Sequence, residues 1–110
     1  MRANNLTLLT DLYELTMMQG YFKNPTDQTV VFDMFYRDNP CGGGFAICAG
    51  LEQVIEYIEN LRFTDEDIEY LRSLSIFEED FLEYLRPFHF TGEIYAIPEG
   101  TVIFPREPMV

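Results

Sequence analysis

The chain has 110 residues, with 19 acidic against 7 basic side chains and a formal charge of −12. That balance argues against nonspecific binding to nucleic acid or to an anionic membrane, since both need a positive field. At 47% apolar and 15% aromatic it is no disordered acidic tail, and its size suits one domain burying about two-thirds of its unfolded surface.

Residues 5–22 carry helical signals. Asp11 followed by Glu14 fits an acidic capping box, and Leu12, Leu15, Met18 and Phe22 make one stripe at helical spacing. Tyr13, Met17 and Tyr21 fall on a different face, so the helix is apolar on two sides and needs a second covering surface. Asn24-Pro25-Thr26-Asp27 reads as a turn. Residues 29–37 then read as a strand from their β-branched and aromatic content. Alternation assigns Val30, Phe32, Met34 and Tyr36 to a core face, and Val31, Asp33, Phe35 and Arg37 to the other.

Asp38-Asn39-Pro40-Cys41-Gly42-Gly43-Gly44 is a loop, with a short strand expected at residues 45–48. Leu51, Val54, Ile55, Ile58 and Leu61 predict an amphipathic helix with Glu52, Glu56 and Glu59 outward. Thr64 caps a third helix carrying Ile68, Leu71 and Leu74 inward, and a fourth over residues 78–86 stops at Pro87. Strands are expected at residues 93–97 and 101–104, joined by a type I turn over Ile97-Pro98-Glu99-Gly100 with glycine last. The result is an α+β chain that stops on apolar residues just after a strand, which reads as a cut before a further domain.

Motif chemistry is sparse. The glycine run 42–44 is neither a Walker loop nor a dinucleotide turn. By spacing it is a flexible connection, or else a loop whose missing side chains let a ligand reach the backbone. Cys41 and Cys48 form no C-x-x-C motif. Cys48 reads as a buried reduced thiol and Cys41 as the more exposed. His89 has no obvious Ser or Cys partner, so no triad can be assembled. Residues 52–83 hold 11 acidic and 2 basic side chains. Their helical spacing reads as solvated outer faces, not a paired-carboxylate or metal site. No apolar leader is present at the N-terminus and no run is long enough to span a bilayer, so a cytoplasmic location is expected.

Three stretches carry a resemblance. Thr10-Asp11-Leu12-Tyr13-Glu14-Leu15-Thr16-Met17 resembles the T-D-L-Y-x-x-T-M signature of nicotinate phosphoribosyltransferases. Phe32-Asp33-Met34-Phe35-Tyr36-Arg37, with Asn39-Pro40-Cys41-Gly42-Gly43-Gly44-Phe45-Ala46 and Ala49-Gly50-Leu51, is similar to their F-x-x-F-x-R-x-x-P-x-G-G-x-F-A-x-x-A-G-L segment. Pro98-Glu99-Gly100-Thr101, Phe104-Pro105 and Glu107-Pro108 resemble the segment before their barrel domain.

The resemblance implies the N-terminal mixed α/β-sandwich domain of a two-domain, homodimeric, cytoplasmic enzyme of NAD salvage, with the barrel absent from this chain. That enzyme joins nicotinate to phosphoribosyl pyrophosphate, giving nicotinate mononucleotide and pyrophosphate. It uses ATP and Mg2+, with ATP hydrolysis coupled through a phosphohistidine on the barrel. No catalytic residue falls in the chain, and none of the cofactors is expected to bind it alone. Tyr13 matches a tyrosine that stacks on nicotinate from the neighbouring subunit. Asp11 matches an acid near the same site, and Arg37 an arginine that meets phosphate oxygens. The residues by themselves leave other roles open: core packing for Tyr13, a helix cap for Asp11, and an ion pair with Asp33 for Arg37. A free-standing, non-catalytic dimerisation or interaction domain derived from the same family is the alternative to the enzyme.

Overall fold

A computed structural model describes residues 5–110. Its elements are α1 (Leu12–Lys23), a 3-10 turn (Pro40–Gly42), β1 (Ala46–Ile47), α2 (Leu51–Glu59), α3 (Asp65–Ser73), α4 (Glu79–Leu85) and β2 (Val102–Ile103). Where composition leads one to expect a single core, the residues group into two compact units. One comprises residues 5–28 and 57–90, the other Thr29–Glu56 and Thr91–Val110.

The first unit is helical. Leu15 of α1, Phe63, Ile68 and Leu71 of α3, and Phe81, Leu82 and Leu85 of α4 form its buried cluster, edged by Leu8, Met18, Phe22, Leu74, Phe77 and Phe88. These apolar side chains recur at helical spacing, which turns α3 and α4 into amphipathic plates with one face to hide. Phe22 stacks on Tyr84 at 4.7 Å between ring centroids, and Phe63 meets Phe88 edge-on at 5.9 Å. Thr64 closes a reciprocal capping box. Its hydroxyl accepts the Asp67 amide (3.2 Å) while the Asp67 carboxylate accepts the Thr64 amide (2.8 Å). Buried Thr7 donates its hydroxyl to the carbonyl of Arg62 (2.7 Å), tying the chain start to the α3 entry.

The acidic helices are laced by three cations. Lys23 pairs with Glu78 and Asp80, Arg72 with Glu69 and Glu79, and Arg86 with Asp65 and Glu83. All lie at the surface, where a single ion pair adds little stability. Their effect is to dissipate self-repulsion in a strongly negative segment.

Four expectations for the first unit are corrected. The helix begins at Leu12, not near residue 5. Asp11 stands at the N-cap position but its side chain caps nothing, and the Glu14 carboxylate that would form the other half of the box accepts the Thr10 hydroxyl. Leu12, placed by spacing in the buried stripe, is half exposed on the first turn, while Leu15, Met18 and Phe22 do face the core. No turn closes at residues 24–27; Asn24 ends α1 by donating its amide to the Gly20 carbonyl.

The second unit is built on one antiparallel pair, with Ala46 opposite Ile103 and Ile47 opposite Val102. Cys48 continues the pairing, donating to the carbonyl of Thr101 (2.8 Å) and accepting the Gly100 amide (2.7 Å). The turn between residues 97 and 101 sits one position later than expected. Thr101 N–H donates to Pro98 O (3.2 Å), and Gly100, third in the turn, has φ +83°. A positive φ at that position belongs to a type II turn, which is what glycine there permits.

The strand expected over residues 29–37 does not form a ladder, and its supposed core face is open: Phe32 is 86% exposed, and Val30 and Met34 are also exposed. Backbone bonds reach the segment at Met34 and Tyr36, from Met109 and Arg106 and to Val110. The facing stretch cannot offer a regular row of donors. Pro105 and Pro108 have no N–H, and Arg106 turns the backbone to φ +64°. Residues 93–97 likewise remain outside the sheet, held by the bond from the Ile97 amide to Met109 O (2.8 Å).

Candidate functional site

Tyr13 occupies the second turn-face of α1, away from Leu15. It is 58% exposed, and Met17 and Tyr21 on the same face are 49% and 68% exposed. The two-sided helix expected from spacing is therefore real: one stripe packs in the first unit and one aromatic stripe does not. Core packing does not account for Tyr13. Asp11 lies two residues earlier at the helix start, exposed and free of a capping bond.

Arg37 belongs to the second unit. It is exposed, and among the described residues no ion pair joins it to Asp33. Arg37 and Asp38 form a bend, followed by the Pro40–Gly42 turn, which passes through φ +55° at Cys41 and +66° at Gly42. A Cβ added at Gly42 or Gly44 would meet nothing within 4 Å. These glycines therefore fill no tight packing niche; they leave backbone open to an approaching group.

Two features of this unit escape motif reading. Glu99 accepts the amide of Gly50 on Oε1 (2.9 Å) and of Leu51 on Oε2 (3.0 Å), satisfying donors at the start of α2. Those two amide bonds hold its carboxyl below the usual glutamate range, against a smaller opposing effect of desolvation. Tyr36 is half-buried, and its hydroxyl lies 2.9 Å from both Ile103 O and Asn39 Oδ1. Burial pushes that hydroxyl's pKa up, partly countered by a backbone hydrogen bond at Ala46 and helped slightly by Glu107. The only sequence signal for Tyr36 was its inward position in the alternation. Glu99 had its place in a turn and in the Pro98-Glu99-Gly100-Thr101 stretch of the resemblance, neither of which indicates its contact with Gly50 and Leu51.

A hollow of about 390 Å3 opens in the same unit, lined mainly by apolar groups that include Met34, Tyr36, Cys48, Leu51, Ile97 and Ile103. Cys48 is buried there as a free thiol, whereas Cys41 is exposed and free. His89 is exposed, with Nδ1 3.1 Å from Pro87 O. Among the described residues no three His, Cys, Asp or Glu side chains gather as a metal would require. Nor is any helix long and apolar enough to cross a membrane.

The chain is thus a small mixed helix-and-strand domain with an aromatic helix face in one unit and an arginine–glycine loop in the other. It belongs to the nicotinate phosphoribosyltransferase family, whose N-terminal domain (NAPRTase N-terminal domain) matches residues 8–110. It is 48% identical over 103 residues to nicotinate phosphoribosyltransferase pncB2 of Mycobacterium tuberculosis, covering 94% of this chain and 22% of that protein. Against nicotinate phosphoribosyltransferase of Bacillus subtilis the identity is 42% over 110 residues, covering 99% and 22%. The fold is similar to that of human nicotinic acid phosphoribosyltransferase in its crystal structure, with a TM-score of 0.70 at 32% identity over 92% of this chain and 21% of that one. The chain spans about a fifth of the length of the curated relatives it matches.

Proposed function

We propose that this chain is the N-terminal part of an enzyme that joins nicotinate to phosphoribosyl pyrophosphate. The nicotinate ring nitrogen bonds to the ribose anomeric carbon as pyrophosphate leaves, giving nicotinate mononucleotide for NAD salvage. The single observation that carries this reading is the continuous family match over residues 8–110, in which all three signature stretches keep their order. ATP and Mg2+ belong to the complete enzyme, and no step of this chain's contribution runs through the metal.

On this reading the chain supplies binding surfaces and no catalytic group. Tyr13 offers its exposed ring as a stacking platform for nicotinate in the site of a second copy, within a cytoplasmic homodimer. Its unpacked stripe on α1 supports that role. Asp11 lies near the same base. Arg37, exposed and without an ion pair among the described residues, meets phosphate oxygens through its planar fork of donors.

The test compares the 110-residue chain with the protein encoded by its complete reading frame. The complete protein should form nicotinate mononucleotide from nicotinate and phosphoribosyl pyrophosphate, and the 110-residue chain none. Product formed by the purified 110-residue chain, or a reading frame that encodes no further domain, would overturn the reading in favour of another assignment of roles.

A further inference from the structure

Arg37 and Asp38 are bracketed by the two residues whose side chains touch. The Tyr36 hydroxyl and Asn39 Oδ1, 2.9 Å apart, close a four-residue bend across them. The same hydroxyl lies 2.9 Å from Ile103 O of β2, and the Tyr36 carbonyl accepts the Arg106 amide at 2.8 Å. A phenol has one proton, so it donates to one oxygen at a time, and the Asn39 amide can complete the triangle by turning its NH2 group toward the phenol oxygen. Tyr36 is therefore tied by its side chain to β2 and by its carbonyl to Arg106 just beyond that strand, while its neighbour Arg37 is exposed to solvent.

A long cation on a loose bend loses rotamer and backbone freedom when it engages a phosphate, and that cost weakens binding. A bend already closed by a side-chain hydrogen bond has met part of it beforehand. We propose that Tyr36 is a positioning residue, whose hydroxyl anchors the Arg37–Asp38 bend to Asn39 and to β2 so that Arg37 is presented to the phosphates of phosphoribosyl pyrophosphate. The proposal rests on the phosphate role assigned to Arg37 above. It adds that the hydroxyl, and not the ring alone, sets how well Arg37 works.

The experiment measures steady-state kinetics of the complete enzyme and amide hydrogen exchange over residues 37–44. Tyr36→Phe keeps the ring and removes the hydroxyl. It should raise KM for phosphoribosyl pyrophosphate about three- to tenfold, the range of one neutral hydrogen bond, leaving KM for nicotinate unchanged, and it should quicken exchange over the bend. Asn39→Ala should shift both readouts in the same direction, less strongly. In an Arg37→Ala background, Tyr36→Phe should raise KM no further, because the residue it positions is gone.

Unchanged exchange and unchanged KM in Tyr36→Phe would overturn the proposal and leave Tyr36 a packing residue. Full multiplication of the two KM effects in the double variant would also overturn it, since Tyr36 would then act without Arg37. If Tyr36→Phe quickens exchange but neither it nor Arg37→Ala alters KM, the phosphate role of Arg37 is what fails, and the proposal fails with it for that separate reason.

Discussion

Glu99 and Leu51 stand 48 residues apart in sequence, yet the carboxylate of one accepts the amide of the other at 3.0 Å. The second carboxylate oxygen takes the Gly50 amide, where the backbone has φ +103°. One side chain thus holds the chain leaving β1 and the first residue of α2 to the turn that leads into β2. A negative charge at a helix start also meets the positive end of the helix dipole.

The pH dependence follows from its lowered pKa. A carboxylate whose folded pKa lies below its unfolded value stabilises the fold above the unfolded value and stops doing so as pH falls through the folded one. The difference in melting midpoint between wild type and Glu99→Gln should be largest near neutrality and shrink below the ordinary glutamate range, about pH 4.3. A difference that stays constant down to pH about 3 would show that charge is not what Glu99 contributes.

Thr64→Ala removes one half of the α3 capping box. Loss of such a cap costs roughly 0.5–2 kcal/mol, and Thr64→Asp should regain most of it. Denaturant midpoints measure both. A change within about 0.5 kcal/mol, as for ordinary surface substitutions, would mean the Asp67 half suffices.

Arg37→Ala should lower kcat/KM for phosphoribosyl pyrophosphate in the complete enzyme by about 10- to 150-fold, since a hydrogen bond to a charged group is worth ~1.5–3 kcal/mol. Thermal stability should hardly move, because the side chain is exposed and lacks an ion pair among the described residues. Kinetics that survive while the midpoint drops several degrees would remove Arg37 from the site.

Tyr13→Ala should impair nicotinate use more than Tyr13→Phe, which retains the ring that stacks. With shared sites, a heterodimer of Tyr13→Ala and a subunit lacking the barrel histidine that the resemblance implies gathers both defects in one site. The other site should then restore about half the wild-type activity, as expected for one intact site of two. A heterodimer that forms without recovery would mean that Tyr13 serves its own subunit.

Helices were easier to read from the chain than strands, for a physical reason. In α3 and α4 the signals are local: Thr64 with Asp67 at the start, Ile68 and Leu71 inward, Pro87 beyond the end. Residues 29–37 have equally strong β composition, but a strand exists only through a partner, and prolines 105 and 108 deny it regular donors. Tyr13 stood out because its helix had apolar side chains to spare on a second face. Arg37 stood out by resemblance and by its place at the end of an apolar run. The Tyr36–Ile103 and Glu99–Leu51 bonds close over 67 and 48 residues, and no periodicity reports contacts of that range.

The two units interleave along the chain, which gives synthesis a direction. Residues 57–90 are bracketed by the halves of the second unit, so the helical cluster has all its parts once Phe90 is made, while Ala46 and Ile47 still lack Ile103 and Val102. At about 5–20 residues per second, the 13 residues from Phe90 to Ile103 take roughly 0.7 to 2.6 seconds. A chain ended at residue 90 should already protect the amides of Ile68 and Leu71 from exchange, and one ended at 100 should leave Cys48 N–H unprotected for want of the Thr101 carbonyl. During that interval the nascent glycine loop and its arginine have nothing to fold against, and this is the stage at which a holdase or a protease would find them.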